Sequence, residues 1–298
     1  SLHDVQHRFY TFFYNNEFLK NNINLFKLRA GWGKIGNENI ANYLYVSSIT
    51  QDMSSRYTFD GKEVTGSVSQ GVSNEDLHWE EATSWDWGTD ISFWKNKLMF
   101  NFDYFIKNNI DNLVTITVPA VIGSDTEGAS KKPTVNAGKI LNRGFELSLV
   151  YRNRLREEAK YPISYSIGGN LSHTYNEVLE LGGSELVGGN VGKSSSIYAC
   201  KTLENYPIAS FWGYKIDGVF SSWDEVNASA QSDAKPGDFK IVDVDGDGQI
   251  TTNDFTCIGN PNPDLTYGLN FDVSYAGFDL SLAFQGVYGN DIYNGTKL

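Results

Sequence analysis

The residues with the most specific chemical spacing are Asp243, Asp245, Asp247, Gly248, Gln249 and Asp254. They put side-chain oxygens at loop positions 1, 3, 5 and 12, a glycine at 6 and a backbone carbonyl, that of Gln249, at 7. Ca2+ takes six to eight hard oxygen ligands on a sharply turned loop, which is what this pattern offers. Position 12 is Asp rather than Glu, so bidentate closure there requires a tighter loop. Flanking helices are not evident, because Phe239–Val242 reads as extended. Residues 201–264 hold 11 acidic and 4 basic side chains, so a net charge of −7 out of the chain's −12 sits around this loop. A bound divalent cation would relieve that repulsion, and the expected role is structural. The competing reading is a solvated acidic turn.

Other groups are less specific. Trp212, Tyr214 and Trp223 present aromatic faces suited to stacking on sugar rings, and equally suited to packing a loop core. Cys200 and Cys257 are the two cysteines, open to pairing or to remaining buried thiols. Val187–Ser194 looks like a phosphate loop, but its first glycine is displaced by one place and no strand–helix context surrounds it. Glu80 and Glu81 are adjacent, so in a strand they point to opposite faces and cannot easily share a substrate. His3, His7, His78 and His173 lack metal-ligand spacing, and His173 falls on the apolar register. No nucleophile–base pair is apparent.

These groups must be positioned by strands. Alternation of period two dominates the chain. Leu98, Phe100, Phe102, Tyr104 and Ile106 share one face, and so do Phe145, Leu147, Leu149 and Tyr151. Ile163, Tyr165, Ile167, Leu171 and Tyr175 form a third set; Leu265, Tyr267, Leu269, Phe271, Val273 and Tyr275 a fourth; Phe278, Leu280, Leu282 and Phe284 a fifth. The chain reads as all-β. A net charge of −12 argues against nucleic-acid binding, which needs clustered Lys and Arg. No apolar run is long enough for a transmembrane helix, and no secretory leader is visible at Ser1-Leu2-His3. A mean hydropathy of −0.36 leaves a membrane β-barrel open, because alternate residues of such a barrel face a polar lumen.

Strand length and loop parity decide between barrel and sandwich. Several segments alternate for the roughly 9–11 residues a tilted strand needs to cross a bilayer, against about 5–6 in globular sheets. Short turns fall at 94–97, 153–161 and 276–277, and long excursions at 34–80, 108–136 and 177–263. Short turns at one rim and long loops at the other define an outer-membrane barrel. If 153–161 and 276–277 are both periplasmic, all of 177–263 lies outside, including the strand-like 208–220. With a first pair at His7–Tyr14 and Ile23–Gly33, eight membrane strands are expected. Trp79, Trp85, Trp87 and Trp94 fall where aromatic girdles sit.

Five stretches then resemble one family. They are Leu28–Gly33 with Gly36–Ile40; Trp79-Glu80 with Gly88-Thr89-Asp90; Asn136–Glu146; Gly237-Asp238 with Asp243–Gly248 and Gly259–Asp264; and Phe284–Asn294. In this order they are similar to the SusC/RagA family of TonB-dependent outer-membrane transporters. The resemblance implies a 22-stranded barrel, plugged by an N-terminal domain, of which residues 1–298 form a portion. It implies import of an oligosaccharide or peptide, driven by the TonB complex through a part not in this chain. It also implies a SusD-like surface lipoprotein as partner, residence among outer-membrane lipids, and no enzymatic activity. The alternative is a secreted, calcium-stabilised β-sandwich that binds glycans; a barrel lipase is disfavoured by the lack of a catalytic constellation.

Overall fold

The computed structural model describes residues 16–38, 48–70, 74–115, 134–183, 186–190 and 198–295. A short helix, α1 (Glu17–Asn22), leads into β1 (Ile23–Asn37), and a hairpin of β2 (Ser48–Phe59) and β3 (Lys62–Gln70) follows. The long strands β4 (Glu80–Phe93), β5 (Leu98–Thr115), β6 (Thr134–Leu155) and β7 (Ile163–Leu181) come next. Short strands then intervene: β8 (Leu186–Asn190), β9 (Tyr198–Thr202), β10 (Ser210–Tyr214), β11 (Ile216–Val219) and β12 (Phe239–Ile241), followed by a 3-10 turn at Thr252–Asp254. Among them lies α2 (Trp223–Asn227), and β13 (Phe255–Gly259) closes the series before β14 (Leu265–Tyr275) and β15 (Phe278–Tyr288).

Seven of these strands make one antiparallel sheet in the order β1-β4-β5-β6-β7-β14-β15. Each pairs with its predecessor in the series, so the wall is a meander. The register lines up side chains of one kind. Leu28, Thr89, Phe102, Leu147, Leu171 and Tyr267 lie in one row across six strands, and Arg29, Gly88, Asp103, Glu146, Ser172 and Thr266 in the next. One face is therefore apolar and the other polar, because every row obeys the same period of two. The eighth expected strand, His7–Tyr14, lies outside the described residues.

The connections split by end. Residues 94–97, 156–162 and 276–277 turn at one end, beside α1, while 38–79, 116–133 and 182–264 leave from the other. Ala276 and Gly277, at φ 51° and 87°, form the two-residue turn whose twist matches antiparallel strands. At the first turn Trp94, Lys95 and Asn96 all take positive φ. Asn22 and Asn24 compensate: Trp94 donates its amide to the Asn22 carbonyl at 2.8 Å and its indole N–H to Asn22 Oδ1 at 3.1 Å, and Asn96 donates its amide to Asn24 Oδ1 at 3.3 Å.

β14 and β15 run for 11 residues each, whereas β5, β6 and β7 run for 18, 22 and 19. The shorter pair has a bilayer-crossing length. In the longer strands the surplus rises beyond the long-loop rim, where bulges at Asn109/Asn112 and Lys139/Ile140 bend the ladder. β7 keeps pairing with β6 to Leu181, so residues 177–181 are strand rather than loop. Segment 208–220 does stand apart from the wall: its strands belong to a four-stranded sheet, β13-β10-β9-β8, and a β11-β12 pair. Buried Val114, Val178 and Leu181 form a small cluster where this unit meets the wall.

Candidate functional site

Polar chemistry concentrates in two places, the polar face of the wall and the unit above its long-loop rim. On the wall, the Arg29 guanidinium straddles β1, β4 and β5. It grips Asp90 with two bonds, Nε to Oδ2 at 3.1 Å and an Nη to Oδ1 at 2.9 Å, and reaches Asp103 at 2.9 Å. Asn101 donates to Asp90 Oδ1 at 2.8 Å. The guanidinium lies over Gly88, where a Cβ would come within 2.8 Å of Cζ and collide with Asp103. Gly88-Thr89-Asp90 marks the place in the sequence, but only the register brings Arg29 to it. Beside it runs a groove of about 440 Å³ lined by Asn101, Asp103, Glu146, Ser148, Asn170 and Thr266. Its lining can hydrogen-bond to a hydrated solute. Asp90 and Asp103 are bound in ion pairs, which suits them to fixed charge rather than proton transfer.

The rim is stitched by side chains. Glu80 accepts from Asn37 Nδ2 at 2.9 Å and from the Leu113 amide at 3.0 Å. Its neighbour Glu81 binds Lys34 at 2.6 Å, so the two carboxylates serve separate contacts as their opposite directions require. His173 lies on the apolar face, its ring 5.8 Å from Phe145 and its Nδ1 against the Asp264 carbonyl. His3 and His7 lie outside the described residues. Within Val187–Ser194, residues 187–190 are in β8 and 191–194 lie outside the described residues.

In the unit, Ser222 caps α2 by accepting the Glu225 amide at 3.3 Å, and Phe220 and Val226 are fully buried beneath it. Trp212 packs edge-on to Tyr206 and Tyr214 edge-on to Phe255, both at 4.9 Å between ring centres. These two of the three candidate stacking residues are half-buried and engaged by aromatic neighbours within the unit, whereas Trp223 is 61% exposed. Cys200 is on β9 and Cys257 on β13, with β10 between them. Strands two apart are separated by twice the inter-strand spacing, roughly 9 Å, which is too far for a disulfide. Both thiols are free.

The acidic loop is highly ordered by its own backbone. Asp243 accepts the amides of Gly246 (2.7 Å) and Gly248 (2.8 Å), Asp245 that of Asp247 (3.2 Å), and Asp247 that of Gln249 (2.8 Å). Gly248, at φ 80°, makes the bend that a Cβ would strain. Asp243, Asp245 and Asp247 each bring an oxygen within 4.8 Å of the others. Asp254 differs. Fully buried, it accepts the Val244 and Thr251 amides, both at 2.7 Å. It also completes a capping box with Thr251. The Thr251 amide, then that of Val244, holds its carboxyl below the usual carboxylate range.

Two joints tie the unit to the wall. Val178 and residues 205–206 exchange backbone hydrogen bonds at 2.7 and 3.0 Å, and Asn176 accepts the Ile208 amide at 2.8 Å. At the other side, Asn260 and Asp291 grip each other. The Asp291 amide donates to the Asn260 carbonyl and the Asn260 amide to Asp291 Oδ2, both at 2.8 Å.

With this geometry in view, comparisons with known proteins agree. Residues 13–296 match the family model described as TonB dependent receptor-like, beta-barrel. The chain is 32% identical over 288 residues to TonB-dependent receptor P3 of Formosa agariphila, covering 94% of this chain and 27% of that protein. It is 25% identical over 276 residues to TonB-dependent receptor SusC of Bacteroides thetaiotaomicron, covering 90% and 25%. A solved structure of the RagAB peptide importer in its open-open state superposes with a TM-score of 0.69 at 20% identity, over 93% of this chain and 27% of that one. The chain thus spans about a quarter of the length of the curated relatives it matches.

Proposed function

The chain belongs to the TonB dependent receptor-like β-barrel family of the outer membrane, and from that premise we propose that it forms part of the wall and extracellular face of a nutrient importer. That family consists of transport proteins rather than enzymes, and the chain's apolar face is the one that meets lipid. One observation supports the reading above the others. Seven strands of membrane-crossing length are apolar on one face and polar on the other, with every long connection leaving from the same end. The polar face, with the Arg29–Asp90–Asp103 network and its groove, then lines the passage. The cargo is an oligosaccharide or a peptide. A SusD-like lipoprotein sits over the loop end, and the TonB complex drives transport through parts of the polypeptide beyond this chain. The test is purification of the full-length polypeptide from membranes in mild detergent, followed by mass spectrometry of what stays bound. A stoichiometric surface lipoprotein is expected. Recovery of a lone species soluble without detergent would overturn the importer in favour of a secreted glycan-binding module.

The Asp243–Asp254 loop holds a structural Ca2+ in the same reading. The convergence of Asp243, Asp245 and Asp247 supports it, as does the local charge of −7. The three aspartates and the Gln249 carbonyl would supply the oxygens; Asp254, expected from the spacing as a further ligand, instead braces the loop through the Val244 and Thr251 amides. Chelation, or Asp245→Ala with Asp247→Ala, should expose 237–264 to protease while the wall stays folded. Unchanged cleavage in both would remove the ion from the account.

A further inference from the structure

Residues 74–79 reach β4 by crossing the upper ends of β5 and β6. Asn136 on β6 holds this crossing: its Oδ1 accepts the His78 amide at 3.0 Å, and its Nδ2 donates to the carbonyls of His78 (2.7 Å) and Asp111 (2.9 Å). Asn74 Nδ2 adds a bond to the Thr134 carbonyl at 3.0 Å. With its backbone fixed, the His78 ring faces two partners. Nδ1 lies 2.8 Å from the Asp76 carbonyl, and Nε2 lies 3.4 Å from Asp111 Oδ2.

Both partners are acceptors. A carbonyl can only accept, so Nδ1 carries a proton; in a neutral ring Nε2 is then a lone pair aimed at a carboxylate. The imidazolium, a donor at both nitrogens, is the form that engages both partners directly. Asp111 takes φ 58° where the β5–β6 register slips, so a bulge holds it in its place. Among the other charged groups, Glu81 on β4 adds to the negative field and is itself bound to Lys34 of β1. Glu80 is occupied by Asn37 and the Leu113 amide, and β6 contributes neutral Asn136 and Thr134. Glu75 and Asp76 are the acidic groups of the crossing itself.

We propose that His78 is a proton-operated latch, which as imidazolium ties the 74–79 crossing to the β5 bulge and on deprotonation gives up that tie, leaving the crossing to the Asn136 and Asn74 bonds alone. The Asp76 carbonyl raises the ring's pKa most; partial burial opposes this, and Asp111 and Glu81 add to the rise. A group raised in the folded state stabilises fully below its unfolded pKa, about 6.5 for histidine, and loses that contribution as pH rises through the folded value. The crossing is thus fastened in mildly acidic surroundings and loosened in alkaline ones.

The test is hydrogen exchange on the full-length polypeptide in detergent between about pH 5 and 8, corrected for intrinsic exchange rates. Corrected opening of amides 74–79 and 111–114 should rise several-fold with pH in the wild type and stay flat in His78→Gln. Asp111→Asn should flatten the rise in part. A flat wild-type profile, or a rise that survives in His78→Gln, would overturn the latch. Titration of labelled histidine provides a second measure that needs no variant. A His78 midpoint above that of free imidazole supports the latch, and one at or below it refutes it.

Discussion

The seven-stranded wall and the unit inserted between β7 and β14 shelter their apolar side chains from water by different means. Along the wall, Leu28, Phe278 and Phe284 are 61%, 81% and 62% exposed. That distribution would be ruinous in a soluble domain and is ordinary against acyl chains. The wall owes its order to its ladder. The unit instead buries Phe220, Val226, Ser210 and Asp254. It binds its turns with side-chain-to-backbone hydrogen bonds, as small water-facing folds do. One chain thus folds against two solvents, and the boundary between them falls at the rim, where Val114, Val178 and Leu181 are buried by protein rather than by lipid.

Breaking the wall's side of this contrast should have the largest effect. Leu147→Arg, in the middle of the lipid-facing rows, should cost about 2–4 kcal/mol in urea unfolding of the full-length protein in vesicles. Ser148→Arg, one residue on and on the polar face, should cost far less; equal losses would mean that the two faces are not distinct. Next, Asp254→Asn leaves one buried amide, of Thr251 or Val244, facing a donor, a loss of about 1–3 kcal/mol confined to the unit. Protease mapping should show 237–264 cut while the strands resist. Asp291→Ala should loosen the joint to Asn260 by about 1 kcal/mol, seen as faster amide exchange at 259–262 with the unit's interior unchanged. The smallest effect concerns Cys200 and Cys257. Both should label as thiols without prior reduction, and reductant should leave the unfolding midpoint where it was.

The same contrast explains what could be read in advance. Alternation is legible wherever one face of a strand meets lipid and the other the barrel interior, as in Leu98–Ile106 and Leu265–Tyr275. Above the rim that asymmetry ends. Charged Glu177 and Glu180 flank Val178, which is buried by protein, so the continuation of β7 to Leu181 carries no regular period. Loop parity sets 208–220 outside the wall but carries no signal of its short strands. Trp212 and Tyr214 looked as much like a binding surface as a core, since short strands such as Ser210–Tyr214 cannot display a face. The cysteine separation was beyond reach for a topological reason: sequence order says nothing of β10 lying between β9 and β13. In the acidic loop, the spacing identified the residues that converge but not that Asp254 is committed to the backbone of its own turn.

The ends of the inserted unit leave from β7 and β14, which are direct neighbours joined by an unbroken register from Ile163↔Tyr275 to Ser172↔Thr266. Adjacent antiparallel strands lie about 5 Å apart, the same separation that a tight hairpin spans. At the level of that register, then, everything between Ser172 and Thr266, the upper part of β7 included, occupies the place of a tight turn. Such a socket makes the unit a cassette: it can be lengthened or exchanged with the ladder beneath left intact, a tolerance that the inner strands of the wall, each paired on both sides, do not share.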